Sequence, residues 1–256
     1  YAVRATNGAG LVKEVKNIVI DKVDTTQPVL IVTALSEGQS YNGNWTNKNV
    51  EITVKDDSTA LGKTDFYYST CGGNTWSADP IPSSKDKQAT LVLSDDCNTE
   101  YMFNAETDAG LHVESGTANP VKIDKTLPTG TVEILEYSKW SALVNVLDPF
   151  NIFFNTPQEV EINAADTASG IKEILYTIVE DPVAVDAQGV PEITSWDHTI
   201  TNGGSFMISN PDGDKIVYVR IEDNAGNIYY VSTDGFVLDQ VKPDITATPS
   251  FNADTW

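Results

Sequence analysis

Along most of this chain apolar and polar side chains alternate one for one. Val50-Glu-Ile-Thr-Val54 and Val160-Glu-Ile-Asn-Ala164 each run in this way and then meet acidic residues, Asp56-Asp57 in the first case and Asp166 in the second. Tyr101, Phe103 and Ala105 fall on one face, as do Val217, Val219 and Ile221. A period of two puts successive side chains on opposite faces of a pleated strand, so these segments predict half-buried antiparallel strands. No segment sustains a period of 3.6, and clusters of Gly, Pro, Asn and Asp punctuate the chain at short intervals. An all-β sandwich requires that spacing of turns.

The alternation repeats at a longer period. Tyr1-Ala-Val-Arg-Ala-Thr-Asn-Gly-Ala-Gly10, Tyr101-Met-Phe-Asn-Ala-Glu-Thr-Asp-Ala-Gly110 and Val217-Tyr-Val-Arg-Ile-Glu-Asp-Asn-Ala-Gly226 align without gaps. Each Ala-Gly is followed 13 or 14 residues later by Asp-x-x-x-Pro, at Asp24 to Pro28, Asp124 to Pro128 and Asp239 to Pro243. A Trp comes after each Pro, at Trp45, Trp140 and Trp256. Self-similarity on this scale is the signature of tandem structural units. The division expected is a terminal hairpin of a preceding unit over 1–23, a full unit over 24–124, a second full unit with inserts over 125–240, and the first strand of a following unit over 241–256. The strands of the first full unit are predicted to start near Val29, Val50, Thr64, Trp76, Ala89, Glu100 and Val121. Those of the second start near Thr131, Val160, Ile171, Ser195, Ser205, Ile216 and Gly235. One insert, Asp148-Pro-Phe-Asn-Ile-Phe-Phe154, is apolar enough to pack on the sandwich; another, Glu180 to Pro191, reads as a surface loop.

Charge narrows the partners. The 256 residues carry 37 Asp plus Glu against 16 Lys plus Arg, a formal charge of −21. Such a chain repels phosphate backbones and gains nothing from an anionic membrane surface, and it lacks a stretch of apolar residues long enough to insert. Nucleic acid and membrane are therefore not expected partners of this segment. With 40% apolar and 9% aromatic residues, the acidity decorates folded domains.

The motif Tyr218-Val-Arg-Ile-Glu-Asp-Asn-Ala-Gly-Asn227, with the linkers Ile123-Asp-Lys-Thr-Leu-Pro128 and Leu238-Asp-Gln-Val-Lys-Pro243, resembles the tandem bacterial immunoglobulin-like repeats of large cell-surface and secreted proteins. That resemblance implies tandem immunoglobulin-like antiparallel β-sandwiches arranged in line, an extracellular bacterial setting, and neighbouring repeats of the same polypeptide as partners. It brings no catalytic residues. The function it implies is a structural, spacing module that contributes to adhesion. The alternative is a binding module whose loops at one pole recognise a host protein or a glycan.

Three sets of residues carry candidate chemistry. Cys71 and Cys97, the only two cysteines, fall in turns that lie at one pole of an immunoglobulin-like sandwich, which makes a disulfide the reading to test against two separate thiols. Ser69-Thr-Cys-Gly-Gly-Asn-Thr-Trp76 is also similar to the Asp-box hairpin, a folding element, with Cys71 in place of its Asp. Asp24, Asp124 and Asp239 recur at the unit junctions, and Asp223, Asn224 and Asn227 crowd one turn. Hard oxygen ligands in that pattern suit Ca²⁺, and equally suit carboxylates and amides that hydrogen-bond their own backbone in turns. Among the aromatics, Trp45, Trp76, Trp140, Trp196 and Trp256 with Tyr41, Tyr67 and Tyr68 present flat faces of the kind that stack on sugar rings, or else pack the sandwich. Tyr41, Trp45 and Trp76 are the glycan contacts to examine first. No GxSxG, HExxH or phosphate-loop pattern occurs, and His112 and His198 lie in turn-like or edge segments, so no enzyme is expected and no cofactor is required.

Overall fold

A computed structural model describes residues 2–19, 23–70, 72–85, 87–138 and 152–247. The chain divides into two compact units, Tyr1–Lys125 and Thr126–Trp256, and both are built of mainly antiparallel sheets. Cys71, Trp140, Trp256 and the start of the apolar insert, 148–151, lie outside the described residues.

The first unit opens with a separate hairpin, β1 (Val3–Thr6) and β2 (Val12–Val15), exposed along both strands. Its sandwich follows. One sheet takes β3 (Leu30–Ser36), β4 (Gln39–Ser40), β5 (Val50–Asp56), β7 (Ser83–Lys85) and β8 (Gln88–Leu93) in the order β4-β3-β5-β8-β7. The other takes β6 (Thr64–Ser69), β10 (Met102–Thr107) and β11 (His112–Gly116) in the order β11-β10-β6, beside a short pair of β9 (Cys97–Thr99) and β12 (Val121–Ile123). The alternation in β5 buries Val50, Ile52 and Val54 completely, and these meet Phe66 of β6 with Phe103 and Ala105 of β10.

The second unit repeats the plan. The first sheet is β13 (Thr129–Ile134), β15 (Gln158–Ala165) and β18 (Gly204–Ile208). The second sheet has β14 (Phe153–Phe154), β16 (Ile171–Val179), β17 (His198–Thr199), β19 (Gly213–Asp223), β20 (Ile228–Ser232) and β21 (Phe236–Leu238). Val160, Ile162, Val217, Val219, Ile221, Phe236 and Leu238 are fully buried between them. The sixth strand, split into β9 and β10 in the first unit, runs unbroken through eleven residues as β19, pairing β21 with its first part and β16 and β20 with the rest. In both units a segment after the first strand returns to pair in parallel with the last: Thr46 beside Ile123, and β14 beside β21.

The aligned Ala-Gly motifs build one turn three times. Asn7, Thr107 and Asp223 each donate their N–H to the carbonyl four residues on (3.0, 2.9 and 3.1 Å), and Gly10, Gly110 and Gly226 each donate back to them (2.9, 2.8 and 3.3 Å). The glycines sit at φ of 76°, 75° and 90°, where a side chain is strained. The repeat in sequence is thus a repeat in hydrogen bonding.

Several expected elements differ. No strand begins at Trp76; Pro80 and Pro82 lack the N–H a ladder needs, and the segment instead donates from Ser77 to Tyr68 O and from Ile81 to Phe66 O before β7 forms. The strand expected from Ser195 is two residues long and begins at His198. β11 and β20 lack a strand signal in the sequence, because Ile228-Tyr-Tyr-Val-Ser232 does not alternate and His112-Val-Glu-Ser-Gly116 carries one large apolar residue. A single turn of helix, α1 (Leu135–Ser138), follows β13. Of the apolar insert, Ile152 and Phe154 pack against the second core. The Glu180 to Pro191 loop is largely exposed but pinned, with Val183 N–H donating to the Tyr218 hydroxyl at 3.1 Å.

Candidate functional site

Tyr41 follows the β3-β4 hairpin. Its N–H donates to Ala34 O at 2.9 Å, and its ring packs against the core of the first unit. Its hydroxyl accepts the N–H of Lys122 at 2.9 Å and donates to Asn44 O at 2.8 Å, tying this loop to β12. Burial pushes the phenol above its ordinary value, against the Lys122 N–H, which lowers it. Beside it runs a groove of about 280 Å³ lined by Val32, Ala34, Ser40, Tyr41, Thr117 and Asn119. Trp45 and Trp76 are both half-buried on separate loops. Trp45 precedes the Thr46 that pairs with β12, and Trp76 closes the glycine turn after β6, in which Gly73 N–H bonds Ser69 Oγ at 3.1 Å. In the second unit Trp196 stacks on Tyr230 with ring centroids 5.9 Å apart, an aromatic pair that sequence spacing did not bring together.

Among the junction carboxylates, Asp24 accepts N–H groups from Thr26 (2.9 Å) and Leu61 (2.6 Å), and these bonds hold its pKa below the ordinary value. Asp124 is buried at the end of β12, its N–H on Thr46 O at 3.0 Å. Asp239 is exposed, with its N–H on Phe154 O at 2.9 Å. Asp223 is fully buried: its Oδ1 accepts N–H from Ala225 (2.8 Å) and Asn227 (2.9 Å), and its Oδ2 the Asn227 amide (2.7 Å). Asn224 points elsewhere and donates to the carbonyls of Ser169 and Gly170. These are the bonds that turn chemistry demands.

The same turn brings in a residue outside the sequence-derived set. Asp166, at the end of β15, accepts the N–H of Gly170 at 2.6 Å and holds a carboxylate oxygen within 4.8 Å of one on Asp223. Two such charges repel by about 3–4 kcal/mol at an effective dielectric of about 20. None of the ion pairs among the described residues includes Asp166 or Asp223. In the first unit, Asp56 stands at the matching place after Val50-Glu-Ile, and there a lysine lies beside it. Lys87 Nζ lies 3.8 Å from its Oδ2 and donates to the carbonyls of Ser58 and Ala60. The signal for Asp166 was available in the sequence, since it follows Val160-Glu-Ile as Asp56 follows Val50-Glu-Ile.

Cys97 sits half-buried at the start of β9 with its thiol 3.8 Å from Val121 O, and burial raises its pKa. The pairing of Ser69 with Met102 puts the turn after β6 and the turn before β9 at the same end of the unit. Cys71, the other half of the expected bridge, lies outside the described residues.

No family model matches the chain, and no curated protein matches it. Among solved structures it is similar to fibronectin(III)-like modules of Clostridium thermocellum CbhA, at 12% identity over 85% of this chain and 100% of that one, with a TM-score of 0.34. It is similar also to a tetra-tandem repeat from the extending region of a large adhesion protein, at 17% identity over 94% of this chain and 66% of that one, with a TM-score of 0.34. A third is the FN1-FN3 segment of chicken CNTN1, at 12% identity over 75% and 65%, with a TM-score of 0.29. Likeness at this level adds nothing to the two-sheet fold already described; the chain is an all-β protein of immunoglobulin-like sandwiches.

Proposed function

We propose that this chain is a non-catalytic segment of tandem immunoglobulin-like modules from a bacterial surface or secreted protein, whose role is to space other parts of that protein and to contribute to adhesion. The observation that supports it is the turn built three times on the same aligned motif, each followed by Asp-x-x-x-Pro. A fixed linker of this kind limits chain freedom, because proline locks φ. In this reading residues 24–124 and 125–240 are the repeating modules, and their partners are neighbouring repeats.

The test is a glycan and extracellular-matrix array probed with the intact chain in Ca²⁺ and in EDTA. Silence in both is the expected result. Specific binding that Trp45→Ala and Trp76→Ala abolish, with the melting of the first unit unchanged, would replace the spacer with the binding module.

A second reading concerns a cation, favoured by the Asp166–Asp223 pair. Ca²⁺ there would bring positive charge to the two carboxylates and relieve their repulsion, where Asp56 of the first unit has Lys87 beside it. At a hundredfold excess over Kd it would stabilise the second unit by about 2.7 kcal/mol, or roughly 10 °C in Tm. Asp223→Asn would abolish that shift, and a second transition indifferent to EDTA and to Ca²⁺ would eliminate the site.

A further inference from the structure

Asn-Gly occurs three times, at Asn7-Gly8, Asn42-Gly43 and Asn202-Gly203. With no Cβ in the way, a glycine amide nitrogen reaches the side-chain carbonyl carbon of the asparagine before it more easily than any other residue's. We infer that Asn7 is a site of spontaneous covalent modification, deamidation through a cyclic imide, and that the fold protects Asn42 and Asn202 from the same reaction.

The chemistry needs only water. The Gly8 amide gives its proton to hydroxide and attacks Cγ of Asn7. The new N–Cγ bond forms, the Cγ–Nδ2 bond breaks, and Nδ2 takes a proton from water and leaves as ammonia. A second water opens the imide at one of its two carbonyls. One opening yields aspartate; the other yields isoaspartate, in which the main chain passes through Cγ. The sum is asparagine plus water giving acid plus ammonia, with no change of oxidation state.

Three features together favour reaction at Asn7. Gly8 is exposed, with nothing within 4 Å of the place a Cβ would take. The bonds that hold the turn start from the amides of Asn7, Ala9, Gly10 and Leu11, and leave Gly8 N–H out. Asn7 Oδ1 accepts two of them, from Ala9 and Leu11, both at 3.0 Å. These donors draw electron density from Cγ and are in place to stabilise the oxyanion that forms on attack.

The other two sites are closed in different ways. Gly203 N–H donates to Ile162 O at 3.0 Å, and the Asn202 amide brackets Ala164, accepting its N–H and donating to its carbonyl, both at 2.7 Å. The Gly203 N–H bond must break before attack and the Nδ2 bond before ammonia can leave, which slows the reaction there by roughly thirtyfold. Asn42 Oδ1 accepts the N–H of Asn44 at 3.0 Å, as Asn7 Oδ1 accepts that of Ala9, but Gly43 is buried with Cβ of Asn119 2.5 Å from the place its own Cβ would take, and this packing holds the backbone against the rotation that would bring the Gly43 nitrogen onto Cγ.

The second unit indicates what each product does. Asp223 stands where Asn7 stands, and its Oδ1 takes the amides two and four residues on, as Asn7 Oδ1 does. An aspartate at position 7 therefore keeps the turn. Isoaspartate inserts an extra main-chain atom between residues 7 and 8, which breaks the reciprocal pair of Asn7 N–H to Leu11 O and Gly10 N–H to Asn7 O.

The test is to incubate the intact folded chain in mildly alkaline buffer and to follow all three sites by peptide mapping, with enzymatic methylation to count isoaspartate. Residue 7 is expected to convert at least roughly tenfold faster than residues 42 and 202, with the three rates converging in denaturant as the protecting bonds melt. Gly8→Ala should remove the fast site, whereas Asn7→Asp should leave the turn and the melting profile intact. Conversion of Asn42 or Asn202 at the rate of Asn7 in the folded chain overturns the inference. So does an Asn7 that reacts more slowly folded than denatured, because the turn would then shield it.

Discussion

Tyr41→Phe separates a structural tyrosine from a ligand platform. The substitution keeps the ring, and with it any face available to a sugar and the packing on the first core, and removes only the hydroxyl oxygen. That oxygen accepts Lys122 N–H at 2.9 Å and donates to Asn44 O at 2.8 Å. Two hydrogen bonds are worth about 1 kcal/mol each, and a half-buried amide left without an acceptor costs about 1–2 kcal/mol more. The expected loss is therefore about 3 kcal/mol, or roughly 12 °C in the Tm of a unit of this size. Because Tyr41 and Lys122 both belong to the first unit, calorimetry on the intact chain carries its own control: one transition falls and the other stays. A loss under about 0.5 kcal/mol, the usual scale for a surface change, would refute the reasoning and leave Tyr41 as a candidate glycan contact.

Gly130→Ala places a methyl 2.2 Å from Cδ1 of the fully buried Ile221 and 2.8 Å from Asn163 O. It should cost about 1–3 kcal/mol, read as a lowered second transition with the first unchanged. Phe103→Ala, which removes a fully buried ring shared by both sheets of the first unit, should cost about 3–5 kcal/mol, and urea unfolding should report it as a lower midpoint. Acid should unfold the first unit through Asp56. Burial alone raises that pKa, but the N–H groups of Val29 and Ser58 and the hydroxyls of Ser58 and Thr64 outweigh it and hold the value below the ordinary 3.8. The folded pKa lies under the unfolded one, so this stability is present above about pH 4 and lost as pH falls through the folded value. Asp56→Asn should lower stability at neutral pH and flatten the acid limb, and an unchanged limb would show that other carboxylates carry it.

The period-two runs at Val50 and Val160 and the aligned Ala-Gly motifs placed the central strands and the repeated turn, since alternation and left-handed glycines are local demands that a sequence states directly. Short strands resisted such reading. β11, β20 and the displaced β7 exist because a neighbouring strand offers hydrogen bonds, and not because their own residues alternate. The candidate sites divide in the same way. Asp24, Asp124 and Asp239 were legible because the linker repeats, and the donors that Asp223 would take were legible as turn chemistry.

Three facts needed the tertiary structure. Tyr41 spends its hydroxyl on a strand 81 residues away, Asp166 comes within 4.8 Å of Asp223, and Lys87 lies beside Asp56. Each depends on how distant strands are brought together at one end of a sandwich. Sequence by itself determined an acidic, all-β, repeated chain, because strand period, turn chemistry and charge are properties of neighbours along the backbone. Which carboxylate has a cation and which aromatic hydroxyl is already occupied were decided only by folding, because those pairings join residues that share no local pattern.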